Sequence, residues 1–279
     1  MGDLSQWLAK LRRIPERFRR DAWMIATLAN WREAISAEWN RTQLHRLRLR
    51  NGIMLDGPET IKLTFLFQET WLRQIYSPPG YEIQRDDTVI DIGANIGVFA
   101  TYAATRSPDV TVHAYEPFPG NAQWLCQNIE RSKLNNVRVH KQAVGAASGV
   151  RHLQVNSDDW IMHSLFGEGT ARQRGLPVEC VSFDEVMNAE AIMRCDLLKI
   201  DCEGSEYEIL ERCSAETLGR VRRIVGEFHE GPDIEGTGEQ LCRFLESRSF
   251  QIDQFKRQNA TSGVFSARNL GSQCRQSAN

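Results

Sequence analysis

Residues 88–97 read Thr88-Val-Ile-Asp91-Ile-Gly93-Ala94-Asn95-Ile-Gly97. In this stretch a run of mostly β-branched residues reaches an acidic side chain, and two glycines follow four residues apart. The pattern predicts a buried strand over Thr88–Ile92, a tight turn, and a helix over 97–107. Because ligands of open α/β sheets bind beyond the carboxyl ends of the strands, we expect a binding site to begin at this turn.

Strands and helices alternate along most of the remaining chain. The other strands predicted for the sheet are 110–115, 137–142, 196–200 and 222–228, and an additional edge strand is predicted at 150–155. The predicted helices are 120–132, 206–213 and 239–248. Segments 250–256 and 262–268 flank a short polar turn and predict an antiparallel hairpin. The predicted fold class is therefore α/β, with a doubly wound, mostly parallel sheet and a C-terminal antiparallel hairpin.

The first fifty residues predict an N-terminal helical extension. Residues 4–50 contain no glycine and a single proline at position 15, so we expect helix that is broken once. Five apolar residues share one helical face: Met24, Leu28, Trp31, Ile35 and Trp39. That face could cover the core, the mouth of a pocket, or a second copy of the chain in a homodimer. We predict a helical arm over 1–58 that ends in a short strand, a ligand-binding domain over 59–270 that opens with a helix at 59–76, and a frayed tail over 271–279.

The composition is that of a soluble globular protein, with 279 residues, 41% hydrophobic and 25% charged, and a net charge of −2. No stretch approaches the roughly 20 apolar residues that cross a bilayer, so a membrane span is not expected. The first ten residues lack the pattern of a secretory signal. The seven cysteines are scattered without a C-x-x-C pair, so neither a disulfide framework nor a zinc knuckle is expected. These features predict a cytoplasmic protein with reduced thiols.

Charge is unevenly distributed along the chain. Residues 1–50 carry a net charge of +6 and the remaining residues carry −8. A basic arm could bind nucleic acid or anionic lipid, or it could be a solvated helix face against the acidic body. Its tryptophans lie at helical spacing, which favours packing over base stacking. Nucleic acid is therefore not the expected partner.

The turn after the first strand indicates what kind of ligand is bound. Its glycines form G-x-x-x-G, so the dinucleotide pattern G-x-G-x-x-G is absent. A carboxylate at Asp91 would repel a phosphate but suits a cation, and S-adenosylmethionine carries an ammonium and a sulfonium. Glu116 ends the second strand 25 residues later, where an acidic side chain can accept hydrogen bonds from both ribose hydroxyls. Ala143 and Val144 follow the third strand and are expected to contact the adenine. The predicted cofactor-binding residues are Asp91, Gly93, Ala94, Asn95, Gly97, Glu116, Ala143, Val144 and Asp201.

The sequence resembles the FkbM-type S-adenosylmethionine-dependent methyltransferases. The motifs that carry the resemblance are Val89-Ile-Asp-Ile-Gly-Ala-Asn-Ile-Gly97, Ala114-Tyr-Glu-Pro117, residues 134–144, and Leu198-Lys-Ile-Asp-Cys-Glu-Gly-Ser-Glu206. The resemblance implies a class I, Rossmann-like methyltransferase fold, in which 59–270 is the S-adenosylmethionine-binding catalytic domain. It further implies O-methylation of a hydroxyl on a small acceptor such as a sugar, polyketide or other natural product. The arm has no clear counterpart in this pattern.

Three residues at strand ends are predicted to be catalytic. Asp201 and Glu203 follow the fourth strand, so Asp201 is expected beside the transferred methyl group and Glu203 could orient the acceptor. Glu203 could equally be a solvated residue at the start of a helix. His229 ends the fifth strand and could take the acceptor proton, or it could make a structural hydrogen bond. Together with Glu227 these side chains could also bind magnesium or manganese, although spacing alone does not show that they converge.

The segment 156–175 is polar and long for a loop. Long ordered loops in compact domains are often functional, so Asp158, Trp160 and Ser164 are predicted to face the substrate. A plain surface insertion is the alternative. Two other functions remain open: a nicotinamide-dependent oxidoreductase, which the missing central glycine and Asp91 disfavour, and a non-catalytic scaffold that binds a cofactor or nucleic acid.

Overall fold

The computed structural model describes residues 15–155, 163–166, 175–232 and 234–271. The helices are α1 (Glu16–Thr27), α2 (Trp31–Asn40), α3 (Leu63–Phe67), α4 (Val98–Ala104), α5 (Pro119–Arg131), α6 (Phe183–Ala189), α7 (Glu206–Arg212), α8 (Ala215–Gly219) and α9 (Gly238–Ser247). The strands are β1 (Arg46–Arg48), β2 (Met54–Asp56), β3 (Thr88–Ile92), β4 (Thr111–Tyr115), β5 (Val137–His140), β6 (Ala143–Gly145), β7 (Gly149–Val155), β8 (His163–Phe166), β9 (Leu176–Ser182), β10 (Leu197–Ile200), β11 (Arg223–His229), β12 (Phe250–Arg257) and β13 (Ser262–Asn269).

The central sheet has seven strands in the order β5-β4-β3-β10-β11-β13-β12. Its first five strands are parallel, and β13 pairs antiparallel with both β11 and β12. The chain moves outward from β3 in one direction and from β10 in the other, so the order reverses between these two strands. Loops that leave β3 and β10 therefore separate and leave a crevice at the carboxyl edge. The predicted α/β class, the parallel sheet and the C-terminal hairpin are confirmed.

Helices cover both faces of this sheet. Val89 of β3 belongs to a core that includes α4 and α5, whereas Ile90 and Ile92 belong to a core that includes α6, α7 and α9. Adjacent residues of a strand point to opposite faces, so a strand buried on both sides needs a continuous apolar run. This explains why 88–92 was recognisable as a strand from its sequence.

The segment after β5 forms a second sheet with the order β6-β9-β7-β8. The strand predicted over 150–155 is present as β7, but it is not an edge strand, because it lies between β9 and β8 in this second sheet. Only two residues separate β6 from β5, and β6 pairs parallel with β9. A small core of Ala143, Leu153, Val178 and Cys180 holds this second sheet together.

The N-terminal segment packs into the core that also includes α4 and α5. Its predicted single apolar face is divided between two helices, because the chain turns at Leu28, whose backbone bridges to Leu49. Met24 and Leu28 are fully buried, while Trp39 is 56% exposed. Residues 46–48 lie in the stretch predicted as helix but pair with β2 as a strand. Residues 1–14 lie outside the described part.

The predicted helix over 59–76 is shorter than expected. It consists of α3 and one π-helical turn, Gln68–Leu72, and the chain then runs as turns to β3. In the described part of the chain, every helix is too short or too polar to cross a membrane.

Candidate active site

A cavity opens at the carboxyl edge of the sheet, at the crevice between β3 and β10. The cavity and its open mouth enclose about 930 Å³. Eight of the predicted site residues line it: Gly93, Ala94, Asn95, Glu116, Ala143, Val144, Asp201 and Glu203. The predicted residues Asp91, Gly97 and His229 are not among its described lining residues.

The turn after β3 is shaped by three residues with left-handed backbone, Gly93, Asn95 and Gly97, whose φ angles are 77°, 52° and 86°. A Cβ atom on Gly93 would lie 1.9 Å from the carbonyl oxygen of Asp201. Gly93 therefore allows the turn after β3 to lie directly against the backbone that follows β10. A Cβ atom on Gly97 would lie 2.4 Å from Leu125, so that glycine lets α4 and α5 pack closely.

Asp91 lies under this turn rather than on the cavity surface. It is fully buried, and Lys199 Nζ lies 3.1 Å from its carboxylate. Lys199 also donates to the carbonyl oxygen of Gly93 at 2.7 Å and lies 3.7 Å from Asp201. Burial alone disfavours the ammonium, but the charges of Asp91 and Asp201 raise the pKa of Lys199, so it stays protonated. Lys199 thus fastens the β3 turn to β10, a role that the sequence did not reveal.

Glu116 lies at the end of β4, on the wall beside the turn. Its carboxyl oxygens accept backbone hydrogen bonds from Asn95 at 2.8 Å and Phe118 at 2.9 Å. Burial raises the pKa of Glu116 to about 7, against the lowering effect of these hydrogen bonds. Each oxygen of a carboxylate has two acceptor sites, so both can accept a further hydrogen bond from a ligand. Beside Glu116 the wall is mostly apolar and contains Tyr115, Ala143, Val144 and Leu153.

The opposite end of the cavity is acidic. Asp201 and Glu203 follow β10 and line the cavity, with Tyr76 beside them. The buried Tyr76 hydroxyl lies 2.9 Å from Asp201 Oδ2 and 2.8 Å from Glu227 Oε1. A phenol has one proton, so only one of these contacts can use it and the other needs a protonated carboxyl group.

Glu227 is the carboxyl group that can supply this proton. Burial and the charge of Asp201 raise the pKa of Glu227 to about 8. At pH 7 it is mostly protonated and can donate to the Tyr76 oxygen, while Tyr76 donates to Asp201. Tyr76 is 125 residues from Asp201 in sequence, and no local motif marks it.

His229 lies between two carboxylates behind the cavity wall. Its Nδ1 is 2.9 Å from Glu206 Oε1, and its Nε2 is 3.5 Å from Glu203 Oε2. Burial by itself lowers the pKa of His229, but the hydrogen bond to Glu206 and the surrounding carboxylates raise it to about 10. Glu206 is fully buried and also accepts from the backbone N–H groups of Cys202 and Gly204, which fixes the turn that presents Glu203.

Glu203 is a second cavity-lining carboxyl group, after Glu116, whose pKa lies near neutrality. Burial raises its pKa to about 7, although the positive charge of His229 opposes the shift. Asp201, Glu227 and His229 also bring one possible ligand atom each to within 4.8 Å of one another. The sequence left open whether these strand-end side chains converge. The structure brings Asp201, Glu227 and His229 together, with Glu203 Oε2 3.5 Å from His229 Nε2.

Three predicted residues lie in the segment 156–175, which was predicted to be a loop but contains strand β8. Asp158 and Trp160 lie outside the described residues. Ser164 belongs to β8, whose backbone pairs with Gln154 of β7.

The family model of the methyltransferase FkbM domain matches residues 91–252, more than half of the chain. The 31-O-demethyl-FK506 methyltransferase FkbM of Streptomyces tacrolimicus is 29% identical, over 74% of this chain and 88% of that protein. The hexuronic acid methyltransferase AglP of Haloferax volcanii is 25% identical, over 54% of this chain and 60% of that protein.

Among solved structures, the human methyltransferase 10 domain containing protein matches with a TM-score of 0.47 and 16% identity, covering 79% of this chain and 89% of that chain. The family match includes the turn after β3, Glu116, and the segment that bears Asp201 and Glu203. These are the motifs on which the sequence resemblance rested. The chain therefore belongs to the family of FkbM methyltransferases, and S-adenosylmethionine is its expected cofactor.

Proposed function

We propose that this protein transfers a methyl group from S-adenosylmethionine to a hydroxyl oxygen of a small natural product. The observation that carries the proposal is a single cavity with Glu116 at one end and the carboxyl groups of Asp201 and Glu203 at the other. One end suits a nucleoside, and the other offers groups that can orient a hydroxyl and accept its proton.

The described residues fit the cofactor. S-adenosylmethionine supplies a methyl group on a positively charged sulfur. Glu116 retains acceptor sites for ribose hydroxyls, and the apolar wall of Tyr115, Val144 and Leu153 suits an adenine. The carboxylates at the other end favour a ligand that carries an ammonium and a sulfonium.

Glu203 is the proton acceptor in this proposal. Its pKa of about 7 leaves the carboxylate well populated at neutral pH and makes it more basic than an ordinary glutamate. Asp201, held by Tyr76, orients the hydroxyl. His229 was one candidate for the base, with a structural hydrogen bond as the alternative; an imidazolium with a pKa of about 10 has no lone pair to accept a proton. It acts instead as a positioning residue that holds the Glu203 carboxylate.

Two relatives support a small hydroxylated acceptor. One is named for an oxygen of FK506 and the other for a hexuronic acid. Both are small organic molecules rather than proteins or nucleic acids. The acceptor class is therefore proposed to be a hydroxyl-bearing metabolite.

The test uses purified protein, S-adenosylmethionine and a panel of sugars, hydroxy acids and macrolides, and measures release of S-adenosylhomocysteine. Glu203→Gln is expected to lower kcat by about 10²- to 10⁴-fold, as for loss of a general base. Its affinity for S-adenosylhomocysteine should stay within a few-fold of wild type. Glu211→Gln, an exposed position on α7, is the matched control. A kcat for Glu203→Gln within threefold of wild type would remove this residue from the mechanism.

Two further measurements test the alternative cofactor and the need for a metal ion. Calorimetric titration with S-adenosylmethionine and NADH separates a methyltransferase from a nicotinamide-dependent enzyme. If EDTA abolishes turnover and Mg²⁺ or Mn²⁺ restores it, the group of Asp201, Glu227 and His229 binds a divalent cation. If EDTA leaves turnover unchanged, the reaction needs no divalent cation. The ion pairs of His229 with Glu203 and Glu206 are then the functional arrangement of this group.

A further inference from the structure

A second group of potential metal ligands lies away from the acidic end of the cavity. His113 lies in β4, His140 ends β5, and Glu190 follows the last residue of α6. In the parallel pairing of β4 with β5, Tyr115 lies opposite His140. Because alternate residues of a strand share a face, His113, Tyr115 and His140 lie on the same side of the sheet. Glu190 reaches them from the end of the helix above.

The three side chains converge closely. His113 Nδ1 is 3.5 Å from Glu190 Oε2, and His140 Nδ1 is 3.9 Å from Glu190 Oε1. One ligand atom from each lies within 4.8 Å of the other two. The two imidazole rings are stacked, with 5.7 Å between their centroids and 12° between their planes.

Two buried nitrogens in this group lack hydrogen-bond partners. Among the described residues, His113 Nδ1, which faces Glu190, has no partner within hydrogen-bond geometry. His140 Nε2 also has none, but it is the ring nitrogen opposite the Nδ1 atom that lies nearest Glu190. The His113 side chain is only 2% exposed. Leaving a buried polar atom unpaired is unfavourable, so such an atom in a native fold calls for an explanation.

We propose that His113, His140 and Glu190 bind a zinc ion, with a water molecule as the fourth ligand. Two imidazoles and one carboxylate suit zinc or another late transition metal rather than magnesium, which prefers oxygen ligands. Tetrahedral zinc with bonds of about 2.0–2.2 Å holds its ligand atoms about 3.4 Å apart. The atoms here need to approach by no more than about 1.4 Å.

Two features of the site allow its ligand atoms to move closer together. The Glu190 side chain is 23% exposed and ends a helix, so it can rotate towards the rings. Arg138 Nη1 now lies 3.0 Å from Glu190 Oε2, and its side chain is 60% exposed. When a metal ion binds Glu190 in place of Arg138, the guanidinium of Arg138 can move into solvent at little cost, because exposed ion pairs contribute at most about 1 kcal/mol.

The site has a structural connection to the cavity. The ring of His140 stacks on Tyr115, with 4.3 Å between centroids and 8° between planes. Tyr115 lines the cofactor cavity. A metal on His140 therefore fixes the ring that supports this wall.

The test is calorimetric titration of the full chain with zinc after dialysis against EDTA, supported by the visible absorption of added cobalt. Wild type is expected to bind one equivalent with a dissociation constant of 10 µM or lower. His140→Gln and Glu190→Gln should each weaken binding at least about tenfold. Circular dichroism and thermal melts establish that both variants are folded, and Glu190→Gln alters a partly exposed side chain.

Two controls separate this site from others. Asp201→Asn removes a ligand from the group at the acidic end of the cavity, and His45→Gln removes an exposed imidazole elsewhere. Both should retain wild-type zinc affinity. The proposal is overturned if wild type binds no zinc at 100 µM, or if His140→Gln and Glu190→Gln both bind as tightly as wild type. Zinc binding that is lost in Asp201→Asn but retained in Glu190→Gln also contradicts it.

Discussion

Binding of S-adenosylmethionine is expected to release about one proton at pH 7. The part of the release that depends on the ligand's charge comes from the pair of carboxyl groups at the acidic end of the cavity, Glu203 with a pKa of about 7 and Glu227 with a pKa of about 8. The pKa of Glu116 is also about 7, but Glu116 faces the nucleoside, so its contribution is the same for charged and uncharged ligands that share this nucleoside. In the free protein at pH 7, Glu203 is about half protonated and Glu227 about nine-tenths protonated. A cationic ligand favours the ionised form of both, so binding should expel protons.

The size of the effect follows from Coulomb's law. One unit charge about 7 Å away, at an effective dielectric constant of about 20, contributes about 2.4 kcal/mol, or about 1.5 to 2 pKa units. A shift of about 1.5 units leaves Glu203 almost fully ionised and Glu227 about one-quarter protonated at pH 7. The sum over both groups is about 1.1 protons released. Because the bound state holds fewer protons, the dissociation constant should fall as pH rises from about 6 to 8.

The assay is calorimetric titration at pH 7 in buffers of different ionisation enthalpy, whose slope gives the number of protons released. S-adenosylhomocysteine is the matched control ligand, because it has the same amino acid and nucleoside parts but no sulfonium charge. It should release fewer protons. Glu227→Gln should reduce the release for S-adenosylmethionine by about 0.6, while Glu211→Gln should not change it. A slope of zero, net uptake of protons, or equal release for both ligands would refute the reasoning.

Two further predictions concern stability. Gly93→Ala should lower the free energy of unfolding by at least about 2 kcal/mol, because its Cβ meets the Asp201 backbone at a left-handed position. Gly52→Ala has a similar φ but nothing within 4 Å, so it should lose only about 1 kcal/mol; equal losses in urea denaturation would contradict this. Tyr76→Phe should lose about 1.5–3 kcal/mol, since it removes a buried hydroxyl that contacts Asp201 and Glu227. An unchanged urea midpoint would count against that assignment.

Much of the sheet could be predicted because its signals are local. Strand β3 matches its predicted bounds, and β4, β10 and β11 match theirs to within one residue at each end. A continuous apolar run followed by an acidic residue or glycine marks a parallel strand buried on both faces. Once the strands were placed, topology alone brought Glu116, Asp201 and Glu203 to one edge.

The features that escaped prediction depend on distant contacts. Tyr76 is recognisable only when Asp201 and Glu227 lie beside it, and Lys199 only when the turn at Gly93 is folded over β10. The three-residue strand β1 carries no periodicity long enough to distinguish it from helix, and pairing with β2 decides its conformation. The charge state of His229 likewise depends on Glu206, which is buried 23 residues away in sequence.

The N-terminal segment shares a core with helices α4 and α5, and this affects how the chain can be divided for fusion or transplantation. The part of the chain that matches the family begins inside β3 and stops inside β12, so it leaves out β13, which joins β12 to the sheet. It also omits Met24, Leu28 and Phe67, which are fully buried in the same core as residues of the retained helices α4 and α5. The segment that the family model matches is thus shorter than the segment that packs into these cores. A fusion or transplant designed on the matched boundaries would expose an apolar surface, whereas one that starts before α1 and ends after β13 keeps a closed core.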